Sequence, residues 1–210
     1  MMIKMIFNPH FRVRNFACRI ELWRGFGNLR LGCLIGVRHV SSQDRIRRQQ
    51  LVQQAEGYIE LGMARHALDV LARLGAPESL PDHALYLQGE ALRELGRFQE
   101  ALEPLNRAAA GSPSNIHIWL ALGWCHKRNG RIDLAIESLE EALSLEPNDA
   151  LINYNLACYW SLAANKHRAL SYLSRAIDLK DDYRSLVAGE PDFDAIRSDP
   201  GFQSLVRVTV

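Results

Sequence analysis

The sequence predicts an all-α protein built from stacked helix pairs, and three observations support this prediction. Small and apolar residues recur every 34 residues across most of the chain. Each unit of that length holds two stretches with apolar residues at helical spacing. Residues that end helices separate the stretches, as at Asn129-Gly130 and at Pro147. One such pair alone would leave a wide apolar face in water, so each unit should pack on the next.

The unit from 116 to 149 shows the pattern most clearly. Trp119 and Gly123 share one face of its predicted first helix, and Ala135 and Leu139 share one face of its predicted second helix. The same positions recur in the neighbouring units. Six series keep one register at a spacing of 34: Ala55, Gly89, Gly123, Ala157; Gly62, Gly96, Gly130; Ala67, Ala101, Ala135, Ala169; Leu71, Leu105, Leu139, Leu173; Ala108, Ala142, Ala176; and Pro113, Pro147.

Three physical reasons account for the glycine, alanine and proline series. The alanines and the series containing Gly89 and Gly123 allow helices to approach closely. The series containing Gly130 can adopt the left-handed backbone that closes a first helix. The prolines discourage further helix and favour the start of a new one.

The composition is that of a globular chain with a distinct N-terminal segment. The chain has 210 residues, of which 48% are apolar, and a net charge of +1. Residues 1 to 40 hold seven Lys and Arg against one Glu, a net of +6, so the remainder carries 1 − 6 = −5. An acidic body without a basic stripe argues against nucleic acid as a partner. No run of about 18 apolar residues occurs, so we expect no spanning helix and a cytoplasmic location.

Residues 1–41 are expected to be a basic, disordered extension. They are rich in arginine and glycine and show no sustained helical period. We favour two explanations, a disordered tail or sequence upstream of a true start near Val40. A transit peptide fits the arginines but not the absence of serine before Ser41, and Arg30 disfavours a lipoprotein site at Cys33.

The central unit resembles the tetratricopeptide repeat (TPR). The matching residues are Trp119-x-x-Leu122-Gly123, Ala135-x-x-x-Leu139, Ala142 and Pro147. The resemblance implies a right-handed α-α superhelix with repeats at 48–81, 82–115, 116–149 and 150–183, inside a repeat region of 42–183. It is strongest in the middle two repeats and weakest in the first, where Leu74 replaces a small residue.

The fourth repeat and the tail resemble the end-of-group unit of bacterial TPR arrays. The residues that carry this resemblance are Tyr154 to Tyr159, Ala169 to Ile177, and Asp192 to Phe202. A solenoid needs a terminal element that covers its last apolar face. We therefore expect 184–210 to form a cap with two short helices, with Pro191 and Pro200 in their first turns.

No catalytic motif is present in the sequence, and we expect a protein that is not an enzyme and needs no cofactor. There is no P-loop, dinucleotide-binding turn, nucleophile elbow, HExxH or Cys-x-x-Cys. His117 and His126 are nine residues apart and would lie on opposite faces of a helix, so we expect no metal. Cys125 is expected to be a small buried thiol. A reactive or redox role for Cys158 is an alternative with little support, because no residue near it in sequence supplies a charge that would stabilise a thiolate.

The TPR resemblance implies a concave groove, lined by first helices, that holds a peptide or helix of a partner protein. Trp124 is the most informative position, because an exposed indole is typical of binding hot spots, although packing between helices would also explain it. Asn155 matches the family's groove asparagine, whose amide can bond a peptide backbone. The predicted groove residues are Tyr86, Leu87, Glu90, Leu120, Trp124, Lys127, Arg128, Tyr154, Asn155 and Cys158.

The predicted function is that of a non-catalytic adaptor or scaffold. Two alternatives remain: a chaperone for a secreted or assembling partner, and an accessory subunit of an enzyme such as a glycosyltransferase. The basic clamp with which some TPR proteins bind acidic chaperone tails is missing, since Val52, Glu56 and Leu87 occupy clamp positions.

Overall fold

The computed structural model describes residues 42–76 and 79–207, and those from Arg47 onward belong to one compact unit. The expectation for 1–41 lies outside the described residues. In the described ranges, eight helices follow one another as four pairs: α1 (Ser42–Glu60) and α2 (Ala64–Ala72), α3 (Asp82–Glu94) and α4 (Phe98–Gly111), α5 (Ile116–Arg128) and α6 (Ile132–Leu145), α7 (Ala150–Leu162) and α8 (Lys166–Leu179). We call α1, α3, α5 and α7 the first helices.

The spaced small residues lie where helices approach most closely. A Cβ atom on Gly89 would come 2.4 Å from Cγ of Leu105, and one on Gly123 would come 3.2 Å from Cγ of Leu139. Both leucines are buried. The predicted close approach of first and second helices within a pair is therefore confirmed at these two glycines.

Left-handed residues close the first helices, as predicted. Gly62, Gly96 and Gly130 have φ angles of 70°, 74° and 74°. The fourth pair follows the same geometry without a glycine, because Ala164 adopts a φ of 58° at the equivalent position. The backbone path between paired helices is thus retained even where the residue type disfavours it.

The core runs as three clusters of buried residues along the array. The first joins α1, α2 and α3, the second joins α3, α4 and α5, and the third joins α6, α7, α8 and the C-terminal region. Trp119 packs against the second and third clusters, and its indole N–H donates to the Pro113 carbonyl at 2.7 Å. Continuous packing from pair to pair confirms the predicted all-α solenoid.

The C-terminal region has more elements than the two short helices that we expected. Helix α9 (Asp182–Leu186) is followed by 3₁₀ helices at Val187–Gly189 and Pro191–Ile196, and then by α10 (Pro200–Val206). Pro191 and Pro200 begin their helices as predicted. Asp199 caps α10 by accepting from the amides of Gly201 and Phe202. Val187–Ile196 is called the C-terminal segment below.

Candidate functional site

Helix α5 positions the central residues of the candidate site. The Asn115 side chain caps its start by accepting from the His117 amide at 3.0 Å. Its last turn carries His126, Lys127 and Arg128, and cations at a helix C-terminus interact favourably with the helix dipole. Trp124 and Arg128 are four residues apart and therefore lie on one face of the helix.

The two tryptophans of α5 have different surroundings. Trp119 packs against two core clusters, as described above. Trp124 is also partly exposed, but it packs against none of the three core clusters of the described residues. Burial in the stack therefore accounts for Trp119 and leaves Trp124 available at the surface of the first helices.

Two cations stack on the Trp124 ring. Lys127 Nζ lies 5.3 Å from its centroid, and Arg128 Cζ lies 5.9 Å away. Each cation contacts a second ring as well: Lys127 lies 5.5 Å from Tyr159, and Arg128 lies 4.8 Å from Phe98. Cation–π contacts of this kind hold a charged group over an aromatic face. We call Phe98, Trp124, Lys127 and Arg128 the basic aromatic patch.

The cations of the patch differ in their ionic partners. Lys127 pairs with Asp192 of the C-terminal segment, and both side chains are largely buried, at 17% and 13% exposure. Arg128 is exposed, and no carboxylate in residues 42–76 or 79–207 lies within ion-pair distance of it. The C-terminal segment therefore occupies Lys127 and leaves Arg128 without an anion from the described chain.

The C-terminal segment lies on α7. Phe193 is fully buried, and its ring meets Tyr154 edge-on at 5.9 Å and lies 5.6 Å from Phe202. Arg197 holds the segment in place by donating to the carbonyls of Val187, Ala188 and Glu190, at 3.4, 3.2 and 2.9 Å. These contacts cover the part of the predicted groove that α7 contributes.

Burial separates the ten predicted groove residues into three groups. Three of them, Trp124, Lys127 and Arg128, form part of the basic aromatic patch. Tyr86 and Leu120 are partly buried against core clusters. The others are buried in this structure and stay a prediction as partner contacts: Leu87, Glu90, Tyr154, Asn155 and Cys158.

Glu90 is engaged inside the protein. Its carboxylate accepts from Arg93 through two parallel bonds, Nε at 2.9 Å and Nη2 at 2.8 Å. This fork satisfies both charges at a glutamate that is only 5% exposed. Burial, followed by the Glu90 charge, raises the pKa of nearby Tyr86, so its phenol stays protonated.

The thiols are poorly suited to reactivity. Burial raises the pKa of Cys125 to about 12 and also raises the pKa of Cys158. Both therefore remain protonated at neutral pH, whereas thiolate is the reactive form. Cys158, Glu190 and Asp192 offer ligand atoms within 4.8 Å of one another, but Asp192 is already paired with Lys127. The absence of a metal stays a prediction.

Sequence reasoning missed one residue of the patch, Phe98, and the residue that pairs with its lysine, Asp192. Phe98 begins α4, and Asp192 follows Lys127 by 65 residues. The aromatic character of Phe98 was visible in the sequence, but its stacking on Arg128 of the following repeat was not. Asp192 was assigned to the cap, where no local pattern indicates an ion pair with α5.

Comparisons with known proteins identify the fold. Two sequence profiles described as tetratricopeptide repeat match residues 60–116 and 92–157. No curated protein sequence matches the chain. None of the helices in the described ranges has the length and hydropathy needed to cross a lipid bilayer.

Several solved structures share this fold at low sequence identity. MamA 41-end from Desulfovibrio magneticus RS-1 is 18% identical, with a TM-score of 0.64 over 76% of this chain and 89% of that one. YrrB, described as a TPR protein with an unusual peptide-binding site, is 22% identical, with a TM-score of 0.60 over 70% and 75%. TTC0263, a TPR protein of Thermus thermophilus, is 19% identical, with a TM-score of 0.57 over 76% and 86%.

Proposed function

We propose that this chain, in which two tetratricopeptide repeat models match residues 60–116 and 92–157, is a non-catalytic adaptor that binds a peptide or helix of a partner protein. The family supports a role in protein interaction in general. The similarity to YrrB, which has a peptide-binding site, supports a peptide as the kind of ligand. We place the binding surface at the groove formed by the first helices, with the basic aromatic patch at its centre.

The observation that carries this proposal is the position of Trp124. An indole that is partly exposed and outside the core clusters offers a large apolar area at low entropy cost. Residues of this type, next to arginine, are enriched among binding hot spots. Removing Trp124 should therefore affect binding much more than folding.

A selection with random linear peptides displayed on phage, on the immobilised full chain, supplies a probe. A selected peptide is then synthesised with a fluorescent label, and its affinity is measured by fluorescence polarisation. We expect Trp124→Ala to weaken binding about tenfold or more, as a hot-spot truncation does. The loss in unfolding free energy should stay below about 1 kcal/mol, because the residue lies outside the core.

Trp160→Ala is the matched control. Trp160 also carries a stacked arginine, with Arg168 Cζ at 4.4 Å from its ring, but it packs against the third core cluster. We expect this variant to lower the melting temperature and to leave peptide affinity unchanged. A Trp124→Ala protein that binds the peptide as tightly as the wild type would contradict the proposed function.

A further inference from the structure

We propose that the partner segment carries a carboxylate that binds Arg128, next to an apolar side chain that packs on Trp124. This inference rests on the proposed peptide-binding function and names the chemical class of the peptide. The occupant is an acidic linear segment of another protein. The argument depends on how the cations of the three consecutive first helices α3, α5 and α7 are satisfied.

Helices α3, α5 and α7 together carry three lysine or arginine residues. Arg93 is paired with Glu90, and Lys127 is paired with Asp192. Only Arg128 has no carboxylate partner among residues 42–76 and 79–207, and it is exposed. An acidic group that approaches α3, α5 or α7 therefore meets one lysine or arginine of these three helices, Arg128, that no carboxylate of the described residues pairs with.

Arg128 is also held in place before a partner arrives. Its guanidinium lies over Phe98 at 4.8 Å and over Trp124 at 5.9 Å. A guanidinium held over an aromatic ring still carries N–H groups along its edge, and these can bind a carboxylate in a bidentate manner. Because the side chain is already positioned, less rotamer entropy is lost when the carboxylate binds.

The chain contains an internal example of the same recognition. Asp192 binds Lys127, and the next residue, Phe193, packs its ring against Tyr154. An acid followed by an apolar ring thus satisfies one cation and one aromatic residue of neighbouring first helices. A partner with an acid beside an apolar residue would repeat this arrangement at Arg128 and Trp124, where both groups remain accessible.

The test uses the phage selection described above with the full chain. We expect the selected peptides to be enriched in Asp or Glu next to an apolar residue. The affinity of one synthesised peptide is compared with that of its analogue in which the acid is replaced by the amide. We expect both the analogue and the Arg128→Gln variant to weaken binding about ten- to a hundredfold, the loss typical of a hydrogen-bonded charge.

A double-mutant cycle locates the contact. The amide analogue and the acidic peptide should bind Arg128→Gln with the same affinity, because the change in the peptide and the change in the protein remove the same interaction. Arg65→Gln is the control, since Arg65 is an exposed arginine of the second helix α2. It should leave the affinity unchanged, and both variants should keep the wild-type melting temperature.

The outcomes separate this inference from the proposed function. One outcome would overturn the inference that the partner segment is acidic and leave the proposed groove function intact. In that outcome the selected peptides lack acidic residues, bind Arg128→Gln as tightly as the wild type, and bind Trp124→Ala more weakly. Selected peptides that are insensitive to both variants, or a selection without enrichment, would overturn the peptide-binding function and this inference with it.

Discussion

Replacing Ala164 by glycine should stabilise the protein. Ala164 links α7 to α8 and has a φ of 58°, in the left-handed region that alanine disfavours. Its amide donates to the Ser161 carbonyl at 3.0 Å, and the following amide, of Asn165, donates to the Trp160 carbonyl at 2.9 Å. These bonds belong to the backbone, so they remain when the residue changes to glycine.

The magnitude follows from two opposing effects. An L-residue in the left-handed conformation costs about 1–2 kcal/mol, which glycine removes. Glycine loses more backbone entropy on folding than alanine does, and this reduces the stabilisation by about 0.5–1 kcal/mol. The exposed methyl group of Ala164 makes little difference through burial. The net gain in unfolding free energy should therefore be about 0.5–1 kcal/mol.

Ala163→Gly provides the adjacent control. Ala163 is also exposed, but its φ of −76° suits alanine, so glycine there should destabilise by about 0.5–1 kcal/mol. Urea unfolding followed by circular dichroism measures both variants against the wild type. Opposite signs are expected at two neighbouring alanines. Equal destabilisation by both would refute the assignment of strain to the Ala164 backbone.

Three other substitutions test the core. Trp119→Ala should lower the unfolding free energy by about 3–5 kcal/mol in urea melts, and an unchanged melting temperature would be inconsistent with its place between two clusters. Gly89→Ala should cost about 1–3 kcal/mol because Leu105 must move, whereas no loss would show that the helices can separate freely. Cys125 has an ordinary pKa of 9.0 and a folded pKa of about 12, so the unfolded chain loses this proton first. Stability should fall as pH rises between these values, and Cys125→Ala should flatten that fall in urea melts at several pH values; an unaltered slope would rule out this thiol as its source.

Much of the fold could be predicted from sequence, because in a repeat protein the residues that make equivalent contacts recur at a regular spacing. Gly89 and Gly123 mark close approaches, and Gly130 marks a left-handed turn, since each requirement depends on the residue type at one position. Trp119 could be assigned to the core for the same reason. The same spacing points to Ala164, but alanine carries no signal for a positive φ, so this turn became evident only from the backbone.

The candidate site was predictable in part. Trp124 and Arg128 lie four residues apart on a helix, so their shared face follows from helical geometry alone. The residues that contact this face from other parts of the chain cannot be found from helical geometry. Phe98 belongs to the preceding helix pair, and Asp192 reaches Lys127 from the C-terminal segment.

The sequence by itself determined the repeat length and the helix pairs, because these depend on local periodicity. Only the tertiary structure decided which of the predicted groove residues remain accessible and, for Trp124, that it lies outside the core clusters. Tyr154 and Cys158 are buried because the C-terminal segment packs on α7. That placement depends on contacts between residues distant along the chain, which a repeating pattern does not encode. The C-terminal segment leaves Arg128 and Trp124 accessible, so these two residues are the ones to substitute in a binding test.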